Sequence, residues 1–247
     1  MRDLYAAEDE REFFAYRAIA RRFRPRLEAY IGFLREKYAV RELPRAIVWT
    51  SREAASELLS DIPVPAYTNE FRVIFCPDPA VWRDIWLSQL EGLRGPMAET
   101  VRAYYETPPG DSRLLAILGH ELAHHSELFW EDFGDSRGDG VWFEEGMVEY
   151  IGRRYFLTAA GFAEEARMNR ILVDLLWDRF GGGSLEDFGA STYTEGFAGI
   201  FFAYWRSFLA VSALVERFGS VEAVFQSYRQ WGGQGSPQTL TDWFQIK

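Results

Sequence analysis

The chain has 247 residues, enough for one large domain or two intimate lobes, and its 48% apolar content excludes a wholly disordered protein. A net charge of −10 and an isoelectric point near 4.9 argue against a nucleic-acid partner, which would need a basic face. A lone cysteine (Cys76), no apolar signal core at the N-terminus, and an apolar stretch at 197–215 broken by Arg206 and Ser207 lead us to expect a cytoplasmic protein with no internal disulfide and no membrane partner.

Residues 8–38 read as one long helix or two, with Pro25 where it would kink or split. Its basic run, 17–26, reads as a solvated face. Segments 45–50 (RAIVWT) and 71–76 (FRVIFC) are short, β-branched and aromatic, and bounded by proline or Asn/Asp, which predicts strands. Between them fall a short helix near 51–59 and a proline-punctuated loop at 62–65. Helices are expected over 80–91 and 96–105, the second with proline in its first turn. Pro108, Pro109 and Gly110 form the sharpest break. Beyond it the pattern is helical: about 111–130, 141–157, 162–180, 194–218, and a last short helix from 221. A glycine-rich loop at 134–140 separates the first two, and Gly181 and Gly219 mark two stops. The expected fold class is α+β, with a small N-terminal lobe containing a short sheet (1–110) and a mainly helical lobe (111–247), together one compact domain.

All three histidines lie in one run: His120, Glu121, Leu122, Ala123, His124 and His125. In a helix, residues four apart share a face, so His120 and His124 can grip one metal ion from one side. Glu121 then stands beside the metal, placed to take a proton from the attacking water. A catalytic zinc needs three protein ligands and an open position. His125 does not supply the third, because it points about 100° from His124 and about 140° from His120; a packing or supporting role suits it better. Cys76 follows an apolar strand and reads as core. Carboxylates remain, and the helix at 141–157 offers Glu144, Glu145 and Glu149, of which Glu145 and Glu149 share a face.

Trp142, Glu145, Gly146 and Tyr150 fall in a W-x-x-E-G-x-x-x-Y pattern that begins shortly after H-E-x-x-H. In this the chain resembles the gluzincin metallopeptidases, the group of thermolysin-like and aminopeptidase-like enzymes, over about residues 111–220. The resemblance implies a zincin-like fold, a Zn²⁺ cofactor, and Glu145 as the third ligand. It also implies that Glu149, one turn on, bonds the far nitrogen of a metal histidine, a support that metal sites commonly carry. Peptide hydrolysis needs a donor for the developing oxyanion, and no histidine follows His125. Resemblance to the tyrosine-bearing helix of the aminopeptidase-like branch offers Tyr204, and the Tyr193, Thr194, Glu195, Gly196 segment offers Tyr193. Arg153, Arg154 and Arg206 could assist. The expected function is zinc-dependent hydrolysis of a peptide or protein substrate, with the strand at 71–76 available to pair with it. The alternative is a non-catalytic zincin-like domain acting as an interaction or regulatory module.

Overall fold

The computed structural model describes residues 1–59, 62–130, 140–236 and 238–246. The glycine-rich loop expected at 134–140 lies outside these residues up to position 139.

Strand β1 (Arg2–Ala6) leads into helix α1 (Glu10–Lys37), which Asp9 caps by accepting a hydrogen bond from the Glu12 amide. Helix α1 runs unbroken through Pro25, so of the two readings, one long helix or two, the single helix holds. Tyr16, Ala20, Phe23, Leu27, Tyr30 and Leu34 recur at alternating steps of four and three and bury one face. The basic run on α1 is more than a solvated face. Arg22 pairs with Asp111 at 2.7 Å, Arg24 with Asp3, and Arg26 donates to Ser112 Oγ at 3.1 Å. These contacts tie α1 to the first strand and to the start of the helix that bears the histidines.

Strands β2 (Ala46–Thr50), β3 (Ala66–Thr68) and β4 (Arg72–Phe75) join β1 in one sheet ordered β1-β2-β4-β3. β1, β2 and β4 run parallel, while β3 runs antiparallel to β4 at the sheet's end. Sequence patterning found β2 and β4 because both are buried and β-branched. It missed β1, whose polar alternation becomes a strand only by pairing with β2, and β3, which is too short to show a period. Because β4 lies between β2 and β3, its backbone is already paired on both sides. The expectation that this strand would pair with a substrate is therefore corrected.

Helices α2 (Pro79–Ser88) and α3 (Pro96–Glu106) follow, then α4 (Asp111–Ala123), α5 (Val141–Phe156), α6 (Ala159–Phe180), α7 (Gly196–Phe218), α8 (Val221–Gly233) and α9 (Leu240–Phe244). Helix α4 ends seven residues before the expected 130. Its end is tied down by Ser126, whose hydroxyl donates to the Tyr38 carbonyl at 2.6 Å. Helix α7 ends at Gly219 in the left-handed conformation, as the glycine signalled. Among the described residues, α7 is the helix long and apolar enough to cross a membrane by length and composition. It packs against α5 and α6, and Ser207, which interrupts its apolar run, is fully buried.

Helix α5 is wedged between α4 and α7, and two glycines permit this. A Cβ at Gly152 would stand 2.7 Å from the Ala116 carbonyl oxygen and 3.1 Å from the His120 nitrogen of α4. A Cβ at Gly146 would meet the Ser207 carbonyl oxygen of α7 at 2.3 Å. Both obstacles are backbone and cannot rotate away. Gly146→Ala should therefore destabilise the protein by about 1–3 kcal/mol or more. Urea unfolding checks this, and wild-type stability in the variant would contradict the packing described. One apolar cluster draws side chains from α1, the sheet, α4, α5, α8 and α9, so residues before and after 110 share a core.

Candidate metal centre

The last turn of α4 presents His120, Glu121 and His124, and the second turn of α5 presents Glu145 opposite them. His124 follows the final helical residue but keeps helical backbone angles (φ −57, ψ −21), so the four-residue spacing still places it over His120. The Nε2 atoms of the two histidines are 3.1 Å apart. Glu145 Oε2 lies 3.2 Å from His120 Nε2 and 3.3 Å from His124 Nε2. A zinc ion at ordinary ligand distances would hold three tetrahedral donors about 3.3–3.6 Å apart. The observed triangle is within a few tenths of an ångström of that, and two imidazoles with one carboxylate form a donor set suited to zinc. The residues present fit the ion.

The outward nitrogens of both histidines also face carboxylates. His124 Nδ1 is 2.6 Å from Glu144 Oε1, and His120 Nδ1 is 3.5 Å from Glu149 Oε1. At metal sites in general, carboxylates so placed fix the tautomer of a ligating histidine and raise its basicity; here the contact at His124 is of hydrogen-bond length and that at His120 is longer. Glu149 was expected in this role. Glu144 was not, although the signal was available: about 100° round the helix from Glu145, it lies toward the His124 side. Burial opposes charge on these groups, yet their mutual attraction prevails. Burial lowers the His120 and His124 pKa values, but carboxylates raise both above the ordinary value: Glu145, Glu149 and Glu121 for His120, and Glu145 and Glu144 for His124. Burial raises the Glu145 carboxyl, whereas the two histidines hold it well below the carboxylate range. For Glu149, burial raises and the Arg153 guanidinium and His120 lower, leaving it at about 2. Such a cluster attracts positive charge, as protons or as a cation.

Glu121 is 7% exposed, and burial pushes its carboxyl up to about 7 against the pull of the two histidines. It lines the same cleft without belonging to the three-atom cluster.

His125, two residues past the end of α4, is not in the three-residue cluster found among the described residues. Its Nε2 lies 3.1 Å from Thr68 Oγ1, linking the end of α4 to strand β3. Burial and the neighbouring His124 lower its pKa to about 4. Cys76 is buried, and it does not belong to the possible metal cluster found among the described residues.

The structure brings both tyrosines to the site. Their hydroxyls are 2.9 Å apart, and both line the cleft with His120, Glu121, His124 and Glu145. The Tyr204 ring lies 5.8 Å from the His120 ring. Burial, reinforced by the Glu145 charge, raises its pKa well above the ordinary phenol value, so it stays a hydrogen-bond donor. Among the arginines considered, Arg206 donates to the Gly183 carbonyl and Arg154 lies over Phe162. Arg153 is partly buried and pairs with Glu149.

The cleft has two arms that share Ala66, His120, Glu121 and Tyr204. One is polar and runs along β3 past Tyr67 and Thr68. The other is walled by Trp82, Trp86, Tyr105 and Trp205 and bounded by Glu149 and Arg153. Comparison of the chain with protein families, curated proteins and solved structures finds no match.

Proposed function

We propose that the chain is a zinc-dependent peptidase of the gluzincin type with a zincin-like fold. The observation that carries this reading is the triangle of His120, His124 and Glu145, with each histidine backed by its own carboxylate. Zinc, when bound, supplies the Lewis acidity that activates water and polarises a carbonyl. Glu121, beside the ligands on the open side, takes the proton of the attacking water and passes it to the leaving amine. Tyr204 donates to the oxygen that becomes negative, and Tyr193 bonds Tyr204. Strand β3, which ends the sheet and lines the cleft, offers backbone groups to an extended peptide, in place of the interior strand β4. The aromatic arm excludes water next to the reacting bond.

Metal analysis tests the foundation. Purified wild-type protein should carry about one zinc per chain, and His120→Ala should lose it; equal metal in the two would remove the reading. Screening zinc-loaded protein against a peptide library then separates a peptidase from a non-catalytic domain, which would bind zinc and cleave nothing.

A further inference from the structure

On the basis of that metal reading, we propose that Arg153 is a positioning residue for the metal centre, holding the Glu149 carboxylate against His120. Glu145, Glu149 and Arg153 stand at four-residue steps on one face of α5, so ligand, support and arginine form a single column. The two oxygens of Glu149 divide the work. Oε2 accepts from Arg153 Nε at 2.6 Å, and Oε1 faces His120 Nδ1 at 3.5 Å. Anchoring at one oxygen restricts the swing of the carboxylate away from the histidine.

Arg153 is itself fixed from outside α5. Its Nη1 donates to Asn169 Oδ1 of α6 at 2.5 Å, and its guanidinium lies 4.3 Å from the centre of the Phe208 ring of α7. Asn169 is 1% exposed, so this anchor sits in the core. Glu165, one turn before Asn169 on α6, adds a favourable charge and pairs with Arg113 at 2.6 Å. The two side chains remain 14% and 19% exposed, and an i,i+4 pair open to solvent adds little stability. The geometry accounts for the pair better as orientation. With Glu149 Oε1 kept on the Nδ1 side of His120, the imidazole turns its Nε2 toward Glu145 and His124. Arg153 thereby connects α6 and α7 to the metal ligands without touching the metal.

The test is zinc affinity by chelator competition at fixed pH, with urea unfolding of each metal-free variant alongside. Arg153→Met should weaken zinc binding about 10–100-fold, the usual range for a lost supporting partner. Arg153→Lys, which keeps the charge but not the fork, should fall between Arg153→Met and wild type. Adding Arg153→Met to Glu149→Gln should weaken binding no further than Glu149→Gln alone, since the arginine acts through that carboxylate. Wild-type affinity in folded Arg153→Met, or effects that add, would overturn the proposal. Should Arg153→Met not fold, Arg153→Lys decides, and unchanged affinity there overturns it. A wild-type chain that takes up no zinc overturns both this role and the metal reading, whereas failure of the arginine variants alone leaves the metal reading standing.

Discussion

Glu121→Gln should keep its zinc and lose peptide hydrolysis. The amide has nearly the same shape and cannot accept the proton of the attacking water, so kcat should fall about 10²–10⁴-fold, the usual contribution of a positioned acid–base group. The Glu121 carboxylate is 7% exposed and held among His120, His124, Glu145 and Glu149, with no place in the ligand triangle. Removing it therefore separates chemistry from metal binding. Kinetics on a peptide found by library screening, with metal content measured on the same sample, check both halves. Full activity in the variant would sink the mechanism, and lost zinc would mean that Glu121 is a ligand instead.

Tyr204→Phe should lower kcat about 10²–10³-fold with little change in KM, the signature of a donor used only in the transition state. Tyr193→Phe should cost less. The two hydroxyls are 2.9 Å apart, and one proton occupies that bond. If Tyr193 donates it, the Tyr204 proton is free for the substrate, and Tyr193 serves by aligning its neighbour. Tyr204 also lies against His120, with the Glu145 charge close enough to raise its pKa. Thermal unfolding of both variants should match wild type within a few degrees, which separates a lost donor from a lost fold. A larger kcat loss in Tyr193→Phe would assign the oxyanion to that residue.

The local parts of this protein were legible in its sequence. Periodicity and stop signals placed most helices to within a few residues, because a helix is built from neighbours in the chain. The spacing of His120 and His124 followed from helix geometry alone, and the structure brings their Nε2 atoms together, while His125, past the end of α4, lies beside Thr68. Glu145 was singled out by resemblance, and the structure brings it to the two histidines. What depended on distant partners was not legible. Strand β1 exists through its pairing with β2, and β3 through its pairing with β4. The early end of α4 depends on Ser126 reaching Tyr38, and the arginines of α1 find their acids at positions 3 and 111. Glu144 looked like a spare neighbour of Glu145 until the approach of α4 and α5, allowed by Gly152, set it against His124. The sequence by itself determined which side chains could share a helical face, because that is set by 3.6 residues per turn. Only the tertiary structure decided which faces meet, because close approach between helices depends on side-chain volume and backbone obstruction far apart in the chain.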